Sequence, residues 1–352
     1  MAEKVLGIDF GATGIKIAEV QTVKDTVTVL RQLFMPLETG LVHRGLIEPE
    51  DVARIANELK MFLSSRKVAT RDVIMGVGAV DEVYVNRTVT NWHDQKDFHT
   101  AMGFELTVNP DLLPGAREGV LLDAVVFGEL EDDEGRRKLD TLLIGVAPDV
   151  VNTQLQVIQK AGLRIAGSDL TAFGLLRAIA LPARPAGQLD LLVDIGHEVV
   201  TAIIHEGGRP YAVALQKGAG GSDADAVVEM AIQYDDPEKI HEAKTTPSGD
   251  PVIHKALQDY AFKVFTAIQE AIISYEVARP DSGAKIQGIT LTGGGALLRT
   301  LPKTLQNSFR VPVEIGVLDE SIAGEDLQRY TPNGKSNACC AAAVGLAMGA
   351  TV

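Results

Sequence analysis

Short apolar runs alternate with helical patterns along most of the chain, which is typical of an α/β protein. The first run, 4–8, is followed by a glycine-containing turn and a second apolar run, 15–20, so the two predict a hairpin. A third strand is predicted at 26–37. Apolar residues then recur at helical spacing over 52–63, and 72–77 returns to strand, so one helix face is expected to pack on a sheet.

The hairpin pattern occurs a second time. Residues 189–196 form an apolar strand that ends in Asp-x-Gly, and residues 199–204 return from the turn. A third glycine turn, 293–295, follows the apolar strand 289–292 and precedes a helix predicted from Ala296. Strand, glycine turn and helix in succession let a backbone approach a nucleotide closely. Two similar hairpins predict two similar α/β halves that face each other.

The tip of the first hairpin carries residues suited to binding phosphate. Gly11 and Gly14 tolerate positive φ, so backbone N–H groups can converge there as an anion nest. Thr13 would add a hydroxyl and Lys16 a positive charge, while Asp9 is suited to hold a hydrated magnesium ion against the phosphates. Taken alone, the motif fits a plain glycine hairpin with a buried cap equally well.

The pattern also predicts how the domains are divided. Residues 1–182 are expected to form domain I, with a small inserted subdomain at about 79–140, where strands flank a polar helix around 94–102 and a charged loop at 129–138. The next strand is predicted at 142–146. Domain II is expected at 187–336, with a glycine turn at 218–222, a helix at 224–232 and a helical subdomain at about 222–280. Residues 337–352 would return to domain I as a C-terminal helix.

Charge and cysteine content exclude some classes of protein. The net charge of −14 argues against non-specific nucleic-acid binding, which needs Lys and Arg to neutralise phosphates. The two cysteines, Cys339 and Cys340, are adjacent, which excludes a disulfide framework and favours a reducing compartment. No apolar run is long enough for a membrane span, and no signal peptide is recognisable. We therefore expect a cytoplasmic protein that reaches a membrane only through a partner.

The glycine motifs, in this order and spacing, resemble those of the actin-like ATPase superfamily. They correspond to a first phosphate loop at 7–16, a second at 194–201 and an adenosine loop at 292–295. Within the superfamily the chain is most similar to the PilM family of type IV pilus assembly, which is related to FtsA. The resemblance implies an α/β fold of two duplicated domains around a nucleotide cleft, with a small subdomain inserted in the first.

The resemblance also implies ATP and magnesium as cofactors. Asp9 and Asp194 would bracket the metal, through water, and the attacking water. Asp169, in the crossover between the domains, is the candidate for ordering that water, and capping of the next helix is its structural alternative. His197 stands where relatives have a small residue, and would either touch a phosphate or crowd the site. The expected nucleotide-binding residues are Gly11, Ala12, Thr13, Gly14, Lys16, Gly196, Thr201, Gly293, Gly294 and Gly295.

The function implied is that of an ATP-binding scaffold protein in a type IV pilus machine. Its partner would be the cytoplasmic N-terminal segment of a PilN-like membrane protein, alongside other inner-membrane platform proteins and possible self-association. The sequence leaves open whether ATP is structural or slowly hydrolysed. An FtsA-like division filament is one alternative, disfavoured because the chain ends without an amphipathic membrane helix. A small-molecule kinase is the other, and no sugar-kinase signature is recognisable.

Overall fold

The elements of the fold were assigned in a computed structural model, which describes residues 3–24, 26–94, 96–218, 242, 250–278, 285–298, 300–319, 322–324 and 340–349. The strands are β1 (Glu3–Gly11), β2 (Gly14–Val23), β3 (Thr26–Pro36), β4 (Asp72–Val77), β5 (Val83–Asn91), β6 (Leu121–Glu131), β7 (Arg137–Val146), β8 (Arg164–Leu170), β9 (Leu189–Ile195), β10 (Val199–Glu206), β11 (Arg209–Lys217), β12 (Ile286–Thr292), β13 (Val313–Ile315) and β14 (Ala323–Gly324). The α-helices are α1 (Val52–Ser65), α2 (Phe98–Val108), α3 (Pro148–Lys160), α4 (Thr171–Ala178), α5 (Pro251–Ala278), α6 (Leu301–Phe309) and α7 (Ala341–Met348).

Two of the three sheets share one topology. The first has the order β14-β3-β2-β1-β4-β8 and the second β11-β10-β9-β12-β13. In each, an antiparallel three-stranded meander is joined through its first strand to two parallel strands. Leu6 and Ile8 in β1, like Leu191 and Val193 in β9, are fully buried, as expected for the central strand of a covered sheet. The prediction of two similar α/β halves is confirmed.

The third sheet, in the order β5-β7-β6, has its own small core with α2. Three elements predicted for this region have wrong bounds. The charged loop expected at 129–138 is confined to 132–136, because alternation of polar residues with the buried Leu139 and Leu143 extends β7 backwards to Arg137. The strand expected at 142–146 is the second half of β7, and the polar helix expected around 94–102 runs from Phe98 to Val108.

The third sheet also contacts the second sheet. Arg87 on β5 makes a bidentate ion pair with Asp140 on β7. The same guanidinium stacks on Tyr211 of β11, with its carbon 4.0 Å from the ring centroid. A cation over an aromatic ring is attracted by the ring quadrupole. The contact between Arg87 and Tyr211 therefore joins β5 to β11, the edge strand of the second sheet.

Small residues let the C-terminal helix approach the core closely. A Cβ added to Gly7 of β1 would lie 1.8 Å from the carbonyl oxygen of Ala343 in α7. Likewise, a Cβ on Gly345 of α7 would lie 1.8 Å from the carbonyl oxygen of Gly174 in α4. Helix α7 is therefore seated on β1 and crosses α4 with backbone touching backbone. Within the described ranges, no helix is both long enough and apolar enough to cross a bilayer.

Some predicted features lie outside the described residues. They are Cys339, the glycine turn that continues from 218 to 222, the helix expected at 224–232 and most of the helical subdomain. Of that subdomain, the structure describes Glu242 and helix α5. The domain boundaries themselves stay a prediction.

The crossing of α4 and α7 gives a stability test. We expect Gly345→Ala to lower the free energy of unfolding by about 1–3 kcal/mol, because the new methyl group cannot fit against Gly174. Gly103→Ala is the matched control, since Gly103 lies in α2 with nothing within 4 Å of its Cβ position, and should stabilise by about 0.5–1 kcal/mol. Urea unfolding of both variants measures the difference, and equal effects would refute the close crossing.

Candidate functional site

The two hairpins of the central strands meet at one cleft and are equivalent in register. Asp9 pairs with Lys16 across β1 and β2, and Asp194 pairs with Thr201 across β9 and β10. Each aspartate stands near the carboxyl end of its central strand, at the sheet edge where α/β proteins bind ligands. The same pairing therefore places a lysine opposite the aspartate in one half and a threonine in the other.

Residues of both hairpins line one concave cleft that is partly open to solvent, and small-molecule sites are usually concave. The predicted residues that line it are Asp9, Gly11, Ala12, Thr13, Lys16, Asp194, Gly196, His197 and Thr201. Sequence reasoning did not single out a further set, which comprises Phe10, Glu198 and Val199 within the predicted loops and Arg44, Gly45, Gly78, Thr171 and Leu215 outside them. The structure thus brings both predicted phosphate loops to one place.

The charges in the cleft are strongly coupled. Lys16 Nζ lies 3.0 Å from Asp9 Oδ2, and the charge of Asp9 holds the pKa of Lys16 well above its usual range despite burial, with Asp194 adding to the effect. Burial raises the pKa of Asp194 to about 6, an increase that the charge of Lys16 opposes and that of Asp9 reinforces. Lys16 is therefore a permanent cation between two carboxylates, and Asp194 loses its proton close to neutral pH.

Glycine is needed in the first hairpin for a different reason from the one predicted. Gly11 and Gly14 do not have positive φ but pair with each other as the last rungs of the ladder. A Cβ on Gly14 would lie 2.4 Å from the carbonyl oxygen of Met35, so close approach of β3 requires glycine there. The tip is fixed to the end of β3 by a hydrogen bond of 3.1 Å from the Leu37 N–H to the Thr13 carbonyl.

The predicted adenosine loop packs on the second hairpin, beside the described lining of the cleft. Gly293 has φ of +83°, and a Cβ there would lie 2.6 Å from Asp194 Oδ1. A Cβ on Gly295 would lie 2.3 Å from the Tyr260 hydroxyl, whereas Gly294 faces open space. The predicted first residue of the next helix, Ala296, is wrong. A 3₁₀ turn spans Gly294–Leu297, and α6 begins only at Leu301, with proline in its first turn.

Asp169 is not among the described residues that line the cleft. It lies at the end of β8, where its carboxylate makes a short ion pair with Arg177 and accepts a hydrogen bond of 2.7 Å from the Leu170 N–H. The capping alternative is wrong, because the cap position of α4 is Leu170 and no side chain caps it. Arg177 also donates to the carbonyl of Gly345 at 3.2 Å, so Asp169 is tied to the α4–α7 crossing.

Glu198 joins the two halves across the cleft. It follows the second Asp-x-Gly motif, and its Oε2 accepts a hydrogen bond of 2.8 Å from the backbone N–H of Arg44. The same oxygen lies 3.0 Å from His43 Nδ1. The contact joins residues 154 apart in the chain, which explains why no local sequence signal indicated it.

This arrangement defines a class of protein. Two sheets of one topology, each offering a hairpin to a shared cleft, form the actin-like ATPase fold. A sequence model of the family described as type IV pilus assembly protein PilM matches residues 7–351. The chain belongs to that family.

Solved structures show the same fold. A "PilM-PilN type IV pilus biogenesis complex" aligns with 99% of this chain and 98% of that chain, with a TM-score of 0.78 and 19% identity. The ethanolamine utilization protein EutJ from Carboxydothermus hydrogenoformans aligns with 98% of this chain and 89% of that chain, with a TM-score of 0.51 and 14% identity. Comparison with curated protein sequences finds no match.

The raised pKa of Asp194 gives a pH prediction. Because this pKa is about 6 in the folded chain against an ordinary 3.8, the folded state binds more protons than the unfolded state between those values. The stability contributed by Asp194 is therefore fully present below about pH 4 and lost as the pH rises through about 6. We expect Asp194→Asn, which stays uncharged, to flatten this loss and to gain roughly 1–3 kcal/mol at pH 7.

Urea unfolding between pH 4 and pH 8 measures this effect. Asp133→Asn is the control, because Asp133 is exposed and should leave the wild-type pH dependence unchanged. A parallel pH dependence for the wild type and Asp194→Asn would show that Asp194 does not carry the buried charge.

Proposed function

We propose that the chain binds Mg²⁺-ATP between its two hairpins and acts as a nucleotide-dependent assembly protein of a type IV pilus machine. The observation that carries the proposal is the register equivalence of Asp9 and Asp194, which face one cleft from two glycine-containing hairpins. Membership of the PilM family supplies the setting. The alternative, a plain glycine hairpin with a buried cap, does not explain why two such hairpins line the same cleft.

The residues in the cleft have separate tasks in this proposal. Backbone N–H groups from Gly11 to Thr13, with the Thr201 hydroxyl, would approach the phosphates. The Gly196 N–H donates to the Val199 carbonyl at 2.9 Å, so Gly196 would let the second tip come close to the phosphates without donating to them. Lys16 would neutralise their charge, and the remaining predicted contacts, at Gly14 and at Gly293 to Gly295, would shape the first tip and border the adenosine.

A magnesium ion would be held by Asp9 and Asp194 through water. Within the described parts of the chain, no three His, Cys, Asp or Glu side chains converge as a metal cage. Mg²⁺ in nucleotide sites takes one or two carboxylates together with phosphates and waters, so this donor set fits it. When bound, the ion would balance the charge of the phosphates.

Hydrolysis, where it occurs, would depend on positioning and charge, since phosphoryl transfer asks little covalent chemistry of a protein. A carboxylate with a pKa of about 6, as for Asp194, is ionised at neutral pH and suited to orient a water molecule. Asp169 would act only after release from Arg177. We therefore propose slow turnover at most, with ATP serving chiefly to set the closure of the cleft.

The partner proposed is the cytoplasmic N-terminal segment of a PilN-like membrane protein, which would bring this chain to the inner face of the membrane. The third sheet offers a surface for it. Strand β6 pairs only with β7 among the described strands, so its outer edge is free to pair with an extended peptide. Its exposed apolar side chains are Leu121, Val125, Val126 and Leu130.

The nucleotide proposal is tested at Asp9. We expect Asp9→Asn to weaken Mg²⁺-ATP binding by about tenfold or more, because a charged hydrogen-bond acceptor for hydrated magnesium is lost. Calorimetric titrations with Mg²⁺-ATP, and with ATP in a chelator, should show that the variant has lost the dependence on metal. Asp133→Asn should behave as wild type, and an unchanged metal dependence in Asp9→Asn would remove Asp9 from the site.

The partner proposal is tested on β6. Val125→Asp should weaken binding of a fluorescent peptide from a PilN-like N-terminus by about tenfold, since a charge replaces an apolar contact. Val277→Asp, at an exposed valine of α5, is the control and should leave the affinity unchanged. Equal anisotropy curves for both variants would place the partner elsewhere.

A further inference from the structure

A tight turn from the first half reaches the cleft. The His43 N–H donates to the Leu46 carbonyl and the Leu46 N–H to the His43 carbonyl, both at 2.9 Å. The two central residues, Arg44 and Gly45, have φ of +52° and +87°. A two-residue turn with positive φ at both central positions is a type I′ turn.

Arginine is a poor residue for its position in this turn. The first central position of a type I′ turn favours Asn, Asp or Gly, because other side chains are strained at positive φ. Gly45 is required, since a Cβ there would lie 2.0 Å from the carbonyl oxygen of Gly78. The backbone gives no such reason for arginine at 44. Strained backbone occurs at functional sites, but Lys24, Lys67, Asp81 and Arg310 have a similar positive φ. Of these five residues, Arg44 is the one in the described lining of the cleft.

Both halves of the molecule hold Arg44 in place. Its carbonyl accepts a hydrogen bond of 3.1 Å from the Val80 N–H, and its N–H donates to Glu198 at 2.8 Å. These contacts involve only the backbone of Arg44, so they fix the turn whatever the side chain. The turn is thus positioned at the cleft by the first half and by the second phosphate hairpin together.

The Arg44 guanidinium is available to an anionic ligand. Arg44 lines the cleft, and among the described residues its side chain makes no ion pair. Lys16, the other cation of the cleft, is already paired with Asp9. A planar guanidinium can donate two parallel hydrogen bonds to a phosphate, which an ammonium cannot.

We infer that Arg44 binds the phosphate chain of the nucleotide and makes the cleft select for the more highly charged nucleotide. The inference rests on the proposed nucleotide function and assigns the discrimination of ATP from ADP and AMP to one side chain. The turn fixes the backbone of Arg44 at the cleft before the ligand arrives, so binding has to order only the side chain.

The test separates the backbone from the side chain. Arg44→Asn should relieve the strain, so the unliganded variant should melt at or above the wild-type temperature. It should nevertheless bind Mg²⁺-ATP about tenfold more weakly, Mg²⁺-ADP with a smaller loss and AMP almost unchanged, because a charged hydrogen bond is lost. Arg44→Lys keeps the charge and the strain, and should lose less affinity than Arg44→Asn.

Lys67→Asn is the matched control. Lys67 is an exposed cation with the same left-handed backbone, at φ of +55°. The substitution should also raise the melting temperature, but should leave nucleotide affinity unchanged.

The outcomes are distinguishable. Wild-type affinity for ATP in Arg44→Asn, or equal losses for ATP, ADP and AMP, would overturn the inference while leaving the proposed function intact. A melting temperature below wild type would overturn the strain argument, and Arg44→Lys would then report on the phosphate contact. If the wild type does not bind ATP, the proposed function fails. Titration of the wild type and of Arg44→Asn with tripolyphosphate then tests the phosphate contact directly. Equal binding by the two proteins, or binding by neither, would refute the role of Arg44.

Discussion

The close pairing of Lys16 with Asp9 is the interaction on which the cleft depends. A buried charge is tolerated only when it is compensated, and here the compensation is completed within one hairpin. Burial raises the pKa of Asp194, an effect that Lys16 opposes only from the other hairpin, because Thr201 occupies the matching position in the second one. The acidic charge of the second hairpin is therefore balanced from outside it. Lys16 contributes from the first hairpin, and a metal ion would contribute the rest, which makes closure of the cleft sensitive to what is bound.

The two halves share a topology but divide the chemistry. The first half supplies the cations, Lys16 and Arg44, together with Asp9, whereas the second supplies the carboxylates of Asp194 and Glu198. The charge of Lys16 attracts that of Asp194, and the Glu198 carboxylate accepts the hydrogen bond of the Arg44 backbone N–H. The same charges are the ones that a nucleotide and its metal would engage. Ligand binding and the contact between the halves therefore draw on one set of groups.

Much of this was predictable from the sequence, because strands, glycine turns and the two aspartates are local patterns. The apolar runs of β1 and β9 gave the central strands, and the spacing around Asp9 and Asp194 gave the facing hairpins. Contacts made by distant loops were not predictable. Glu198 meets Arg44 only after both halves are folded, and Gly14 is needed because of Met35 in another strand. Propensity reasoning assigned Gly14 a positive φ, whereas crowding decides its identity.

The third sheet links the cleft to the surface proposed for a partner. One edge, β5, contacts the second half through Arg87 and Tyr211, while the other edge, β6, has no further partner among the strands that the structure describes. A three-stranded sheet moves as a unit, so a change in the angle between the halves either carries the sheet along or breaks the Arg87 contact. Arg87 keeps its bidentate pair with Asp140 inside the third sheet, whereas its contact with Tyr211 crosses to the second half. The contact with Tyr211 can therefore be exchanged without breaking the sheet, and a nucleotide-dependent second arrangement would need an element of this kind.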